Sequence, residues 1–140
     1  MSASLWTIPV TLEDLNARAK NTLAEHLKIT FVEIGERHLT ARMHLEANHM
    51  QPMGVMHGGA SAALAETVAS AAANYCMIGE TKVCVGVELN INHLRAVKEG
   101  YIDAVAHPLQ IGKTIQVWEI KIYDAEGRLT SAARLTLVAR

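Results

Sequence analysis

The chain has 140 residues, half of them hydrophobic and 19% charged, with a formal net charge of −1. That is length enough for one domain with one core, and too apolar for a disordered chain. No basic block marks a nucleic-acid groove. The opening M-S-A-S-L-W-T-I-P lacks a charged segment followed by a continuous apolar run, so no signal peptide is expected and the cytoplasm is the default compartment.

The first ten residues read as extended, with Pro9 preventing an early helix. Thr11 followed by Asp14 resembles a capping box, and Val10 and Leu15 fall at the staple positions. The spacing predicts a short helix from Leu12 to about Lys20–Asn21, carrying Leu12 and Leu15 inward, then a turn at Leu23–Leu27. From Lys28 the period becomes two: Ile29 and Phe31, then Leu39, Ala41, Met43 and Leu45 across a Gly35–Glu36 turn, predict a hairpin with one buried face.

A loop with Pro52 and Gly54 leads to His57-Gly58-Gly59 and a long run dominated by Ala. Between Gly58 and Gly79 the only charged residue is Glu66. Ala is the best helix former, so the run predicts one helix of about twenty residues, roughly 30 Å long. A helix apolar nearly all round is buried, which places Glu66 facing inward or toward an interface. A membrane span is rejected, because Ala is weakly apolar and a mid-span carboxylate is costly.

After Gly79 strands return. Val83, Val85, Val87, Leu89 and Ile91 are expected on one face, and Cys84, Gly86, Glu88, Asn90 and Asn92 on the other. A strand over about Tyr101–His107 is broken at Pro108 and Gly112. A last hairpin pairs Ile115–Tyr123 with Leu129–Val138 through Asp124-Ala125-Glu126-Gly127. Hairpin connections and one long apolar helix define a two-layer α+β domain over residues 1–140. The edges and the weakly charged outer face at 83–91 predict a homodimer at least. Cys76 and Cys84 belong to no CxxC and read as free buried thiols.

The chemistry-bearing groups of the central stretch are Gln51, His57 and Glu66. A carboxylate is rarely buried unless paired or functional. The alternatives are a solvated or salt-bridged Glu66 and a His57 that only caps the helix. No metal site is expected from His44, His49, His57, His93 and His107, since no HExxH or paired-Cys spacing is present. No G-x-S-x-G elbow is present either.

The collinear set Q-P-x-G-x-x-H-G-G-A-S-A-A-L-A-E at 51–66 with Ser70, T-L-E-D-L-N-A at 11–17, G-V-E-L-N-I-N-H-L-R at 86–95, P-L-Q-I-G at 108–112 and Q-V-W-E-I at 116–120 resembles the aroyl-CoA branch of the hotdog-fold thioesterases. Members include enzymes that hydrolyse 1,4-dihydroxy-2-naphthoyl-CoA in menaquinone synthesis or clear misloaded carrier protein in enterobactin synthesis. The resemblance implies a long helix wrapped by an antiparallel sheet, a homodimer or dimer of dimers, and an active site at the dimer interface. It implies Glu66 as nucleophile or general base, and Gly58 as the backbone N–H donor to the thioester oxygen. Gln51 and His57 would orient substrate and water, and Ser70 would assist the carboxylate. By the same resemblance Gln51 with Gly58, and Glu66 with Ser70, come from opposite subunits. His93, Arg95, Lys113 and Thr114 fall on the CoA side. The expected activity is hydrolysis of acyl-CoA thioesters with an aromatic acyl group, of the 1,4-dihydroxy-2-naphthoyl-CoA or benzoyl-CoA type, with no metal or redox cofactor. An acyl or aryl carrier protein is the other thioester owner, and a hotdog hydratase or a non-catalytic acyl-CoA binding module are the rival classes.

Overall fold

The computed structural model describes residues 4–78 and 83–140. Gly79, read above as the end of the long helix, and the first three residues lie outside them. The order is α1 (Leu12–Ala17), α2 (Leu23–His26), β1 (Ile29–Ile34), β2 (Leu39–His44), a 3₁₀ turn (Ala47–His49), α3 (Gly58–Asn74), β3 (Cys84–His93), β4 (Tyr101–Ile111), β5 (Ile115–Asp124) and β6 (Leu129–Ala139). The six strands form one sheet in the order β1-β2-β4-β5-β6-β3, antiparallel throughout. α3 packs against five of those strands. Among the described residues no helix is long and apolar enough to cross a membrane.

Thr11 caps α1 as expected, its Oγ1 accepting from the Asp14 N–H at 3.1 Å. Leu15 is buried, but Leu12 is exposed. In a helix of six residues only one short stripe meets the sheet, and Leu15 takes it.

α3 is 17 residues long, shorter than expected. Its end is fixed by Asn74, whose side chain donates to the carbonyls of Ser70 (2.8 Å) and Cys84 (3.1 Å) and accepts from the Cys84 N–H (2.9 Å). That amide clasps the start of β3 to the helix. α3 is also one-sided. Ala60, Ser61, Leu64, Ala65, Val68, Ala69, Ala72 and Ala73 are buried at helical spacing against the sheet. The opposite face carries Ala62, Ala63, Thr67, Ser70 and Ala71 half-buried and Glu66 exposed. Glu66 therefore does not face inward, because the sheet of one chain covers only one side of its helix.

β3 departs from simple alternation. Its register against β6 slips between Gly86 and Glu88, so Val87 is the extra residue of a bulge. Cys84 and Gly86 point inward before it, and Leu89 and Ile91 pack on the core after it. Val83, Val85 and Val87 are left 58%, 39% and 54% exposed. The single face expected for 83–91 is thus two half-faces, divided at the bulge.

β4 runs past Pro108, which does not end it. The register slips between Pro108 and Gln110, and a bulge accommodates a residue without an N–H.

The two sheet edges are treated differently. On β1, the Asn16 side chain accepts from the Phe31 N–H (2.8 Å) and donates to its carbonyl (3.2 Å), which blunts that edge. β3, ten residues long with its valines exposed, has no such cover among the described residues.

The core holds a polar network centred on Gln116. Gln116 is 1% exposed; its Oε1 accepts from Trp118 Nε1 at 2.8 Å, and its amide nitrogen donates to the Ala73 carbonyl at 3.3 Å. Cys76 and Cys84 flank the same side chain as free thiols. Burial pushes the Cys76 thiol up to about 12 and raises Cys84 as well. Both are therefore protonated and poor nucleophiles at neutral pH.

Candidate active site

Three anchors fix the loop that delivers the chain to α3. The Gln51 N–H donates to the Val55 carbonyl (2.8 Å), the Met56 N–H to Val97 (2.8 Å) and the His57 N–H to His49 (2.8 Å). Gly54 turns the loop with φ +81, a conformation that favours glycine. Gln51 Oε1 accepts from the Met53 N–H, so its amide nitrogen is the end left to meet a ligand. His49 is buried; its Nδ1 accepts from the Glu46 N–H (2.9 Å) and its Nε2 donates to the Leu27 carbonyl (2.8 Å).

His57 caps α3. Its Nδ1 accepts from the Gly59 N–H at 2.7 Å, which leaves Nε2 as the nitrogen that carries the proton and meets solvent. The Gly58 N–H, at the first helical position, has no acceptor among the described residues. It points out of a helix N-terminus, where unpaired donors and the macrodipole favour negative charge. A Cβ at Gly58 would sit 2.6 Å from His93 Nε2, so only glycine allows the imidazole to lie so close to the backbone.

Gln51, Gly58, His93 and Arg95 line one cleft of about 360 Å³, together with Ser61 and Ser131. Ser131 is 2% exposed and its Oγ lies 3.0 Å from His93 Nδ1. Ser61 and Ser131 have no signature in the sequence; the pairing of His93 with Ser131 across β3 and β6 is what puts the hydroxyl under the ring.

Glu66 and Ser70 are not in that cleft. Eight residues separate Gly58 from Glu66, about 12 Å along the helix. The Glu66 carboxylate lies against β3: a Cβ on Gly86 would stand 2.6 Å from its Oε2. Ser70 lines a second recess of about 350 Å³ with Thr67, Ala71, Leu15, Phe31 and Arg18. Arg18 belongs to no motif in the sequence; its one signal there is that it lies three residues after the inward-facing Leu15 and so on its face of the chain.

Lys113 and Thr114 are exposed at the β4–β5 turn and line neither recess. The Thr114 carbonyl accepts from Ala139 N–H, and Ala139 pairs with Cys84. His93 and Arg95 lie at the other end of β3. The four residues expected on the CoA side are therefore split between two ends of a strand about 30 Å long. His44, His49, His57, His93 and His107 are likewise dispersed, and among the described residues no group of three or more His, Cys, Asp or Glu is placed to hold a metal.

The profile of the thioesterase superfamily matches residues 53–131. The chain is 44% identical to the 1,4-dihydroxy-2-naphthoyl-CoA hydrolase of Escherichia coli (strain K12), over 94% of this chain and 96% of that protein. It is 43% identical to the proofreading thioesterase EntH of Cronobacter turicensis, again over 94% and 96%. The crystal structure of a thioesterase from Haemophilus influenzae superposes with a TM-score of 0.93 at 43% identity, covering 97% of this chain and 94% of that one. The chain belongs to the thioesterase superfamily. It has the hotdog fold of that family and is a thioester hydrolase.

Proposed function

We propose that the protein is a cytoplasmic acyl-CoA thioesterase acting on aromatic acyl groups, such as benzoyl or 1,4-dihydroxy-2-naphthoyl, as a single domain over residues 1–140 that works as a homodimer or dimer of dimers. The relatives named above support the substrate class. The observation that carries the site is the separation of Gly58 and Gln51 from Glu66 and Ser70 within one chain.

A two-fold pairing of β3 edges accounts for that separation. α3 runs antiparallel to β3, since Gly58 meets His93 while Asn74 meets Cys84. Antiparallel pairing of two β3 strands brings the His93 end of one copy beside the Cys84 end of the other. Gly58, Gln51 and His57 of one subunit then face Glu66 and Ser70 of the second. Lys113 and Thr114 meet His93 and Arg95 in the same way, which reunites the CoA side.

In such a site Glu66 takes a proton from water as the water oxygen bonds to the thioester carbon. Negative charge gathers on the carbonyl oxygen against the Gly58 N–H, a donor worth about 10²–10³ in kcat in comparable holes. Collapse breaks the C–S bond, the acid forms and the thiolate leaves to be protonated. Direct attack by the carboxylate gives a mixed anhydride that a water then cleaves, with the same overall balance. The likeness to the proofreading enzyme favours one second reading, an aryl carrier protein as thioester owner.

Thiol release from benzoyl-CoA and 1,4-dihydroxy-2-naphthoyl-CoA tests the reading, with Glu66→Gln, Gln51→Ala and an equimolar mixture of the two variants after subunit exchange. Both variants alone are expected to be slow and the mixture to regain activity, because one of the two sites in a mixed dimer is intact. No recovery on mixing, with both chains folded and exchanged, overturns the shared site. A native chain that binds but releases no thiol from any CoA moves the function to the carrier-protein reading or to a binding module.

A further inference from the structure

The recess beside Ser70 is built differently from the cleft at Gly58. Its walls are apolar: Leu15 and Phe31 are buried, and Ala71 and Ala24 complete them. Its volume, about 350 Å³, is at the lower end of the range for small-ligand pockets. Thr67 and Ser70 project from α3, and among the described residues neither hydroxyl has a hydrogen-bond partner. Asn74 is occupied in clasping β3 to the helix, so it offers the recess nothing. The single charged lining residue is Arg18.

Arg18 stands at the end of α1, its guanidinium 5.5 Å from the centre of the Tyr75 ring. Stacking on an aromatic face holds the fork beside the C-terminal end of α3, whereas Glu66 precedes the lining residues Thr67 and Ser70, nine positions before the Tyr75 cap and so about 13 Å back along the helix axis. Among the described residues Arg18 makes no ion pair, although Asp14 sits one turn away on its own helix. A guanidinium held on an apolar rim with no carboxylate of its own is suited to an oxygen anion brought by a ligand.

We propose that this recess seats the acyl group, and that Arg18 selects acyl groups carrying an anionic oxygen, a carboxylate or an ionised phenol, at the end remote from the thioester. The inference rests on the reading of Glu66 and Ser70 given above, because Ser70 lines the recess and Glu66 stands one turn before it on α3, so a thioester carbon beside Glu66 sends its acyl group along α3 toward Arg18. Arg18 is here a specificity residue that touches the substrate and takes no part in bond making.

The test compares kcat/KM for 4-carboxybenzoyl-CoA, 4-hydroxybenzoyl-CoA and 4-methylbenzoyl-CoA in the native chain, Arg18→Met, Arg18→Lys and Lys20→Met. Lys20 is an exposed cation two residues on that does not line the recess, so Lys20→Met controls for net charge. The native chain is expected to prefer the carboxylate over the methyl compound by about tenfold or more, the discrimination that one charge-assisted hydrogen bond supplies. Arg18→Met is expected to bring that ratio down about tenfold, Arg18→Lys to retain part of it, and Lys20→Met to keep it. A preference for the hydroxy compound that grows as its phenol ionises identifies a phenolate; one confined to 4-carboxybenzoyl identifies a carboxylate.

A ratio unmoved by Arg18→Met, or a native preference for the methyl compound, overturns the proposal. Binding of free terephthalate against 4-methylbenzoate to the native chain and Arg18→Met, by titration calorimetry, judges the recess without turnover. If no thioester is cleaved but terephthalate binding is lost in Arg18→Met, the reading of Glu66 fails and the anion seat stands. If terephthalate binds both chains alike, the seat fails.

Discussion

The Glu66 carboxylate occupies the space that a side chain on residue 86 would need. A Cβ built on Gly86 falls 2.6 Å from Glu66 Oε2, and 3.2 Å from Leu135 Cδ1. The absent side chain on β3 therefore sets where the acid on α3 can lie, and the bulge at Val87 immediately after it turns the strand. Gly86→Ala is expected to push the carboxylate off its position and lower kcat by about 10²-fold, the scale of a 1 Å misplacement, while KM changes little. Leu135→Val shortens the second clashing side chain. If Gly86→Ala/Leu135→Val recovers full activity, Leu135 and not Glu66 carries the effect. Steady-state kinetics with circular dichroism on each variant separates a displaced acid from a misfolded chain.

The exposed valines of β3 make a second prediction. Val85 and Val87 are 39% and 54% exposed on an edge strand that nothing in the described chain covers, whereas Asn16 closes the edge of β1. Charge on an edge strand is a usual way to prevent pairing. Val85→Lys is expected to shift the protein to monomer in sedimentation velocity and to abolish thiol release together with association. A Val85→Lys chain that stays dimeric at full activity assigns assembly to another surface.

The β5–β6 turn holds one acid-sensitive contact of the fold. Asp124 Oδ1 accepts from the N–H groups of Arg128 (2.9 Å) and Glu126 (3.0 Å), and Oδ2 faces Arg128 Nε at 2.8 Å. The Arg128 backbone N–H, with that guanidinium and the Glu126 N–H, holds the carboxyl below the ordinary aspartate range. The folded state thus prefers the charged form. Its contribution is complete above the unfolded value of about 3.9 and is lost as pH falls through the lower folded value. In Asp124→Asn the acid dependence is expected to flatten: the stability gap to the native chain is constant above about pH 5 and shrinks below about pH 4. Urea unfolding from pH 3 to 7 reads it directly. A gap that persists unchanged to pH 3 excludes Asp124 as a contributor to the acid dependence.

Most of this architecture is legible in the sequence, because the signals are local. The alternation around Leu39–Met43, the Ala run from Gly58 and the Thr11 cap each determine their own element. What the sequence hides is where neighbours decide. Val83 to Ile91 alternates without a break, yet the bulge at Val87 reverses which half points inward, and a bulge is set by pairing with β6. Pro108 reads as a break, and only the slip in register against β5 shows how the strand survives it. Glu66 on an apolar helix reads as facing inward or toward an interface, because periodicity alone cannot tell a helix covered on both sides from one covered on one. The motif residues are equally legible, but their division between two recesses, and the presence of Ser131 and Arg18 in them, depend on contacts between elements far apart in the chain.

The same dependence on distant contacts governs the core at Gln116. A glutamine 1% exposed is tolerated because every polar atom is used: Trp118 Nε1 donates to its Oε1 at 2.8 Å, and its amide nitrogen reaches the Ala73 carbonyl at the end of α3. Trp118 is itself fully buried, so its N–H has no water to turn to. Gln116→Leu keeps roughly the same shape but orphans that donor, which is expected to destabilise the fold by about 1–3 kcal/mol. Removing the donor too, in Gln116→Leu/Trp118→Phe, is expected to destabilise by less than the sum of the single changes, since the unsatisfied N–H is gone. Urea unfolding followed by far-ultraviolet circular dichroism gives all four corners of the cycle. An additive double variant shows that the Gln116–Trp118 bond contributes nothing of its own and that the loss in Gln116→Leu arises from its other contacts, the Ala73 carbonyl and the thiols of Cys76 and Cys84.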